Sequence, residues 1–163
     1  MLTWIRLSVI TVFLFMSFTL EAAPEKVRVI RVIDGDTIVV LSNNHPVKVR
    51  LKDIDAPEMG QPYGKKSKKA LSKKIFKVWL DLDNKGKDHY GRTLGTLYRD
   101  GEDINLYMVK NGHAWVYRHY TNDSGYLKAE EIARLQRLGI WKLPKSQQTA
   151  PWEWRKHEKD RNK

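Results

Sequence analysis

Residues 26–58 read Lys-Val-Arg-Val-Ile-Arg-Val-Ile, Asp-Gly-Asp-Thr, Ile-Val-Val-Leu, Ser-Asn-Asn-His, Pro-Val-Lys-Val-Arg-Leu, Lys-Asp-Ile-Asp-Ala-Pro-Glu. The first eight alternate. Val27, Val29 and Arg31 face one way and Arg28, Ile30 and Val32 the other, which is the period of a strand. Asp34-Gly35-Asp36 is a tight-turn signal, and residues 37–41 read as the β-branched return strand. Ser42-Asn43-Asn44-His45 marks a second turn. In residues 47–51, Val47, Val49 and Leu51 alternate with Lys48 and Arg50. Three strands joined by short turns make an antiparallel meander.

The reading continues outward from this meander. Residues 55–64 are rich in Gly and Pro and predict a loop. Residues 65–78 place Ala70, Leu71, Ile75 and Val78 at helical spacing, with lysines over the rest of the surface. Residues 78–82 and 94–99 predict strands, linked by the polar stretch 83–91. Asp100-Gly101 is a further turn. Residues 104–110 predict a short helix that Gly112 stops. Residues 126–138 carry Leu127, Ile132, Leu135 and Leu138 at helical spacing and close at Gly139. From Pro144 onward the chain is polar, broken only by Pro151-Trp152-Glu153-Trp154, whose tryptophans are expected to dock on the rest of the domain. Repeats and linkers are absent from the sequence. Five strands interrupted by helices make a mainly β domain with α, compatible with a small closed β-barrel of the OB type.

The chain has 163 residues, with 30 Lys+Arg against 19 Asp+Glu and a formal net charge of +11. This excludes a disordered acidic chain, a collagen-like repeat and a polytopic membrane protein. Cysteine is absent, which excludes a disulfide scaffold, cysteine-ligated metals, a cysteine nucleophile and a lipidated cysteine. The run from Leu7 to Leu20 is uncharged and follows Arg6; Ala22 and Ala23 come after it. It is short for a membrane span and suits a secretory signal, with an uncleaved N-terminal anchor as the alternative. Cleavage after Ala22 is expected, because Pro24 disfavours the bond after Ala23. The expected organisation is a signal peptide over 1–22, one domain over 23–143, and a basic, Trp-containing tail over 144–163. Loss of Arg6 and Glu21 with the signal leaves the charge at +11. The expected location is secreted or periplasmic, where calcium is available.

Two carboxylate groups stand out. Asp34 and Asp36 flank a turn glycine; Asp53, Asp55 and Glu58 follow the third strand. Singly, each set is explained by a turn or a solvated loop. If the second and third strands pair through the 42–46 turn, however, residues near 36 and near 51–55 meet at one rim of the sheet. Like charges held that close call for a cation between them, and all-oxygen donors point to calcium or magnesium. Arg50 and Arg92 suit bidentate phosphate binding. With a metal they would surround a phosphodiester with positive charge as its transition state builds negative charge. Glu58 stands where it could accept a proton from an attacking water. Lys65, Lys66, Lys68, Lys69, Lys73, Lys74 and Lys77 form the densest charge run, either a solvated helix face or a track for nucleic acid whose affinity falls with salt. His89, His113 and His119 lack metal-like spacing and read as structural.

Asp34-Gly35-Asp36-Thr37, Val49-Arg50-Leu51 leading to Asp55-Ala56-Pro57-Glu58, and Tyr90-Gly91-Arg92 together resemble the thermonuclease, or staphylococcal nuclease-like, family. The order, spacing and residue types agree over about residues 26–141. Trp115-Val116-Tyr117 and Pro151-Trp152-Glu153-Trp154-Arg155 look like features of its Gram-negative and plasmid-borne members. The resemblance implies a five-stranded OB-type β-barrel with three helices and calcium-dependent hydrolysis of DNA and RNA, leaving 3′-phosphates. Little sequence specificity, a monomeric state and no stable membrane association once the signal is removed are expected alongside it. Carried over, Asp36 and Asp55 would bind Ca2+ through carboxylates and Ala56 through its carbonyl. Glu58 would be the general base or orient the water, Arg50 and Arg92 would clamp the scissile phosphate, and Tyr90 would contact a phosphate. Ala56 replaces a threonine of the best-known member, and the loop from Glu58 to Gly64 is shorter. One of that member's two stacking tyrosines aligns with Arg118 and the other with Tyr120; Tyr117 would substitute for the first. Lys65, Lys66, Lys68 and Lys69 complete the expected substrate-binding set.

Three rival readings stand beside this one. A non-catalytic nucleic-acid-binding module of the same fold has no need of Asp36, Asp55, Glu58, Arg50 and Arg92 together. A second rival is an active nuclease with altered metal preference. A basic envelope protein would bind anionic polymers in a salt-sensitive way and cleave nothing.

Overall fold

The computed structural model describes residues 24–161, so the expected signal segment 1–22 lies outside the described residues. The meander forms as read. Strand β1 (Glu25–Val32) pairs antiparallel with β2 (Thr37–Ser42), and β2 pairs with β3 (His45–Leu51), placing Thr37 opposite Arg50 and Ser42 opposite His45. Asn43 and Asn44 make the two-residue turn with φ of 47° and 63°, the left-handed pair that such a hairpin requires and that asparagine tolerates. The alternation in β1 breaks once. Its register against β2 shifts between Val29 and Arg31, a bulge that inserts one residue and flips the faces beyond it. Val27, Val29 and Val32 are therefore all buried, and Ile30 is exposed.

After β3 come β4 (Ile54–Asp55), α1 (Gly64–Ile75), β5 (Trp79–Lys87), β6 (Thr93–Arg99) and β7 (Glu102–Asp103). Then follow α2 (Ile104–Lys110), β8 (Trp115–Val116), α3 (Ser124–Leu135), two short 3-10 turns and α4 (Pro151–Arg161). The main sheet runs β3-β2-β1-β5-β6-β7, and a parallel pairing of β3 with β6 closes its five long strands into a barrel. Gly95 sits in β6 at this closure. A Cβ there would lie 2.6 Å from Leu82 Cδ1 and 2.8 Å from the Asp83 carbonyl oxygen, so the close approach of β5 requires glycine.

Val29, Ile38, Val49, Leu51, Leu82 and Leu97 fill the barrel, capped by Leu71 and Ile75 of α1 and by Ile104 and Met108 of α2. Each such side chain contributes about 1.5–3 kcal/mol by leaving water. A second cluster joins Trp115, Ala133, Ile140, Trp141 and Ala150, with Tyr63 and Trp152 against it.

Four features differ from the sequence reading, two ends, one buried face and one added helix, each for a local reason. Helix α1 ends at Ile75, not residue 78, because Lys77 takes φ of 61° and β1 captures the chain through Lys77 N–H to Val29 O and Val29 N–H to Val78 O. Strand β5 continues through the polar stretch to Lys87, because it keeps pairing with β6 beyond the barrel rim. Helix α3 buries Tyr126, Glu130 and Ala133, leaving Ile132 and Leu135 exposed. The core-facing position at its centre is a charged residue, so the leucine spacing picked the wrong face. The tail is a fourth helix, α4, in addition to the three expected. It opens on Pro151, whose fixed φ and missing N–H suit a first helical turn.

His113 is structural, as read. Its Nδ1 lies 2.9 Å from the Tyr63 hydroxyl, and burial pushes its pKa below 6.5. The fold therefore holds it neutral. As pH falls through 6.5 and below, the unfolded chain takes a proton that the fold resists, and stability is lost. The wild-type melting temperature should fall more between pH 7.5 and 5.5 than that of His113→Gln, as thermal denaturation would read; equal falls would remove His113 from that titration.

Candidate active site

The rim of the barrel is built by three short backbone devices. Asp34 Oδ1 accepts the N–H groups of Asp36 at 3.0 Å and Thr37 at 2.7 Å, which folds the first turn. Gly35 lies against α1 in that turn. A Cβ there would collide with Ser67 Oγ and stand 2.6 Å from Ala56 Cβ. Leu51 N–H then donates to Asp36 O at 2.8 Å, setting Asp36 beside the end of β3. Asp55 is held by the pairing of β4 with β8, where it stands opposite Trp115. The sequence reading places Asp55 at the start of a loop; the pairing with β8 makes it a short strand instead.

The two carboxylates meet over Arg50. Asp36 Oδ2 accepts the Ala56 N–H at 2.6 Å, and its Oδ1 lies 3.2 Å from Arg50 Nε. Arg50 Nη2 donates to Asp55 Oδ1 at 3.0 Å. Both carboxylates are buried. Burial, with Asp36 nearby, pushes the Asp55 pKa up, and Arg155 and Arg50 pull against that rise. Burial and the neighbouring Asp36 likewise push Asp34 up to about 6.

Asp88 positions Arg92. Its Oδ1 accepts the N–H groups of Tyr90 and Arg92, and its Oδ2 accepts Arg92 Nε at 2.7 Å. Burial pushes the Asp88 carboxyl up, but these bonds outweigh it and hold it below the usual range. The extended β5–β6 ribbon thus carries Arg92 and the exposed Tyr90 to the site. Opposite stand Tyr117, stacked on Trp152 at 5.4 Å, and Tyr120, edge-on to Tyr117 at 4.9 Å. Gln61 fixes the loop after Ala56 by accepting the Glu58 N–H and donating to Thr149 O at 2.6 Å.

Asp36, Arg50, Asp55, Ala56, Glu58, Tyr90, Arg92, Tyr117 and Tyr120 all line one cleft of about 650 Å³. Lys65, Lys66, Lys68 and Lys69 do not. They lie on α1 along shallow depressions of its own surface. Three contributors escaped the sequence reading. Asp88 stands four residues before Arg92, a spacing that could have flagged it. Glu130 is fully buried and accepts the Val116 N–H, Arg118 and Arg134. Arg155 reaches the cleft from α4, donating to Asp55 Oδ2 at 2.8 Å and to Glu58 Oε1 at 2.7 Å. Nothing in the local sequence announces a contact 100 residues away.

Among the described residues no group of three or more His, Cys, Asp or Glu side chains is arranged around a metal position. Asp36 and Asp55 nevertheless fit a hard cation. They are oxygen donors, they are buried side by side, and two guanidinium groups are drawn onto them. The coordination would be completed by backbone oxygen and water.

Comparison with known proteins agrees with this architecture. The family model described as staphylococcal nuclease homologue matches residues 48–143. An uncharacterized endonuclease of Haemophilus influenzae is 44% identical over 133 residues, covering 81% of this chain and 74% of that protein. A micrococcal nuclease of Shigella flexneri is 41% identical over 143 residues, covering 81% of each. Protein ParB of Escherichia coli is 41% identical over 144 residues, covering 82% of this chain and 80% of its own. The chain belongs to the staphylococcal nuclease homologue family, the class of hydrolase that the barrel and its arginine–carboxylate cleft define.

Proposed function

We propose that this nuclease is an exported, calcium-dependent enzyme that hydrolyses phosphodiester bonds of DNA and RNA with little sequence specificity, leaving 3′-phosphates. The observation that carries the reading is the convergence of Arg50, Arg92, Asp36, Asp55 and Glu58 on one cleft. Export is supported by the uncharged run from Leu7 to Leu20 followed by Ala22 and Ala23. Little sequence specificity follows from a cleft whose chemistry addresses phosphate and whose exposed tyrosines offer ring faces that any base can stack on. The α1 lysines would extend the backbone track outside the cleft.

Calcium, held by Asp36, Asp55 and the Ala56 carbonyl, would polarise a phosphoryl oxygen. Arg50 and Arg92 grip the non-bridging oxygens and stabilise the added negative charge. Glu58 takes the proton of the attacking water. The new P–O bond forms as the bond from phosphorus to the 5′ oxygen breaks; that oxygen leaves with a solvent proton and the phosphate stays on the 3′ end. Glu58→Gln keeps the shape and removes the base. Single-turnover cleavage of a labelled oligonucleotide should slow about 10²–10⁴-fold while binding persists. A wild-type rate would remove Glu58 from this role.

A further inference from the structure

The C-terminal helix supplies the cleft with a positive charge that the proposed chemistry does not use. Arg155 lays its guanidinium fork across Asp55, with Nη2 2.8 Å from Oδ2 and Nη1 3.2 Å from Oδ1, and Nη1 also reaches Glu58 Oε1 at 2.7 Å. Arg50 adds a third donor to the Asp55 carboxylate, at Oδ1. Both oxygens of Asp55 are thus engaged by guanidinium groups. Yet the Arg155 fork itself is lightly held. The start of α4 is anchored by buried Pro151 and by Trp152, which meets Trp115 and Tyr117, whereas the Arg155 side chain is 43% exposed. A guanidinium at that exposure can swing into water without opening the core. Arg50 is 12% exposed and tied to Asp36, Asp55 and the Leu51 carbonyl, so it cannot leave as readily.

We propose that Arg155 is an intramolecular competitor of the divalent cation for Asp55. A cation that binds through Asp55 displaces the Arg155 fork, and the same movement frees Glu58. Metal loading and release of the base are then one event, read through a residue of the tail helix. The proposal rests on the calcium reading above and adds a positioning residue to it. It also gives α4 a role: the helix sets how much metal is needed before the base is free.

The apparent affinity for a cation is reduced by the fraction of molecules in which Arg155 occupies Asp55. If that fraction exceeds nine-tenths, removing the fork lowers the calcium Kd about tenfold or more. Isothermal titration of calcium into wild type, Arg155→Gln and Arg155→Lys tests this, with thermal unfolding with and without calcium as a second readout. Expected is a calcium Kd at least about tenfold lower for Arg155→Gln, a smaller drop for Arg155→Lys, and a larger calcium-induced rise in melting temperature for Arg155→Gln than for wild type. Arg155→Lys keeps the charge and guards against loss of fold. Equal or weaker calcium binding by Arg155→Gln would overturn the competition alone. Absence of calcium binding by all three proteins would overturn it together with the calcium reading.

Discussion

Arg50→Ala should lower kcat/KM for DNA cleavage by roughly 10³–10⁵-fold, the range over which one arginine on a transferring phosphoryl group acts. Arg50→Lys should recover little of it, because a point charge lacks the planar fork that meets two oxygens. The structure also shows why the measurement needs a fold control. Arg50 lies between two buried carboxylates, 3.2 Å from Asp36 and 3.0 Å from Asp55. Its removal leaves them facing each other in a site that already pushes Asp55 upward in pKa. Calcium would relieve part of that repulsion. Kinetics should therefore be read beside melting curves in saturating calcium, where a folded, inactive variant assigns the loss to chemistry. Arg92 offers the cleaner companion. Among the described residues, Asp88 is the one carboxylate it bonds, at 2.7 Å, on a ribbon outside the barrel, so Arg92→Ala should lose activity with little change in stability. Near-wild-type turnover by either alanine variant would remove it from the phosphate clamp.

The largest effect on stability is expected at Glu130. Its carboxylate is fully buried, accepts the Val116 N–H at 2.9 Å, and pairs with Arg118 at 2.8 Å and Arg134 at 3.3 Å. Glu130→Ala leaves the Val116 N–H without its acceptor and opens a polar hole beneath α3. The two arginines are partly exposed and can rehydrate, which limits the loss. A cost of about 3 kcal/mol follows, on the order of 10 °C in melting temperature for a domain of this size. Because β8 pairs with β4, the loosened strand is the one that faces Asp55. Glu130→Gln keeps one acceptor oxygen and should fall between wild type and alanine. A melting temperature for Glu130→Ala within a degree or two of wild type would show that the pairings contribute nothing net.

The contrast between these two sites explains what could be read from the chain. The meander was legible because its information is local: alternation sets the faces, Asn43-Asn44 sets the turn, and the turn fixes the register that brings Asp36 beside the end of β3. The cleft was legible to the same extent, since Arg50 and Asp55 follow that register within a few residues. The bulge in β1 was not, because one inserted residue leaves the composition of the strand unchanged. The buried face of α3 was misjudged because a charged residue at its centre is buried only by virtue of Val116 and Arg118, which lie outside the helix. Arg155 is the extreme case. Helix α4 has weak apolar patterning and little burial, so its position depends on Trp152 meeting Tyr117 and on Arg155 meeting Asp55, contacts that no local pattern encodes.

The central claim is hydrolysis of nucleic acid at this cleft with calcium. The most direct measurement is incubation of the purified protein with plasmid DNA and, separately, with RNA, in calcium, in magnesium and in excess chelator, with Glu58→Gln prepared identically as the control for contaminating nuclease. The account predicts degradation of both substrates in calcium, none in chelator, and none comparable by Glu58→Gln. Salt-sensitive binding without cleavage would contradict it in favour of a binding module, and cleavage that persists in chelator would contradict the calcium site at Asp36 and Asp55.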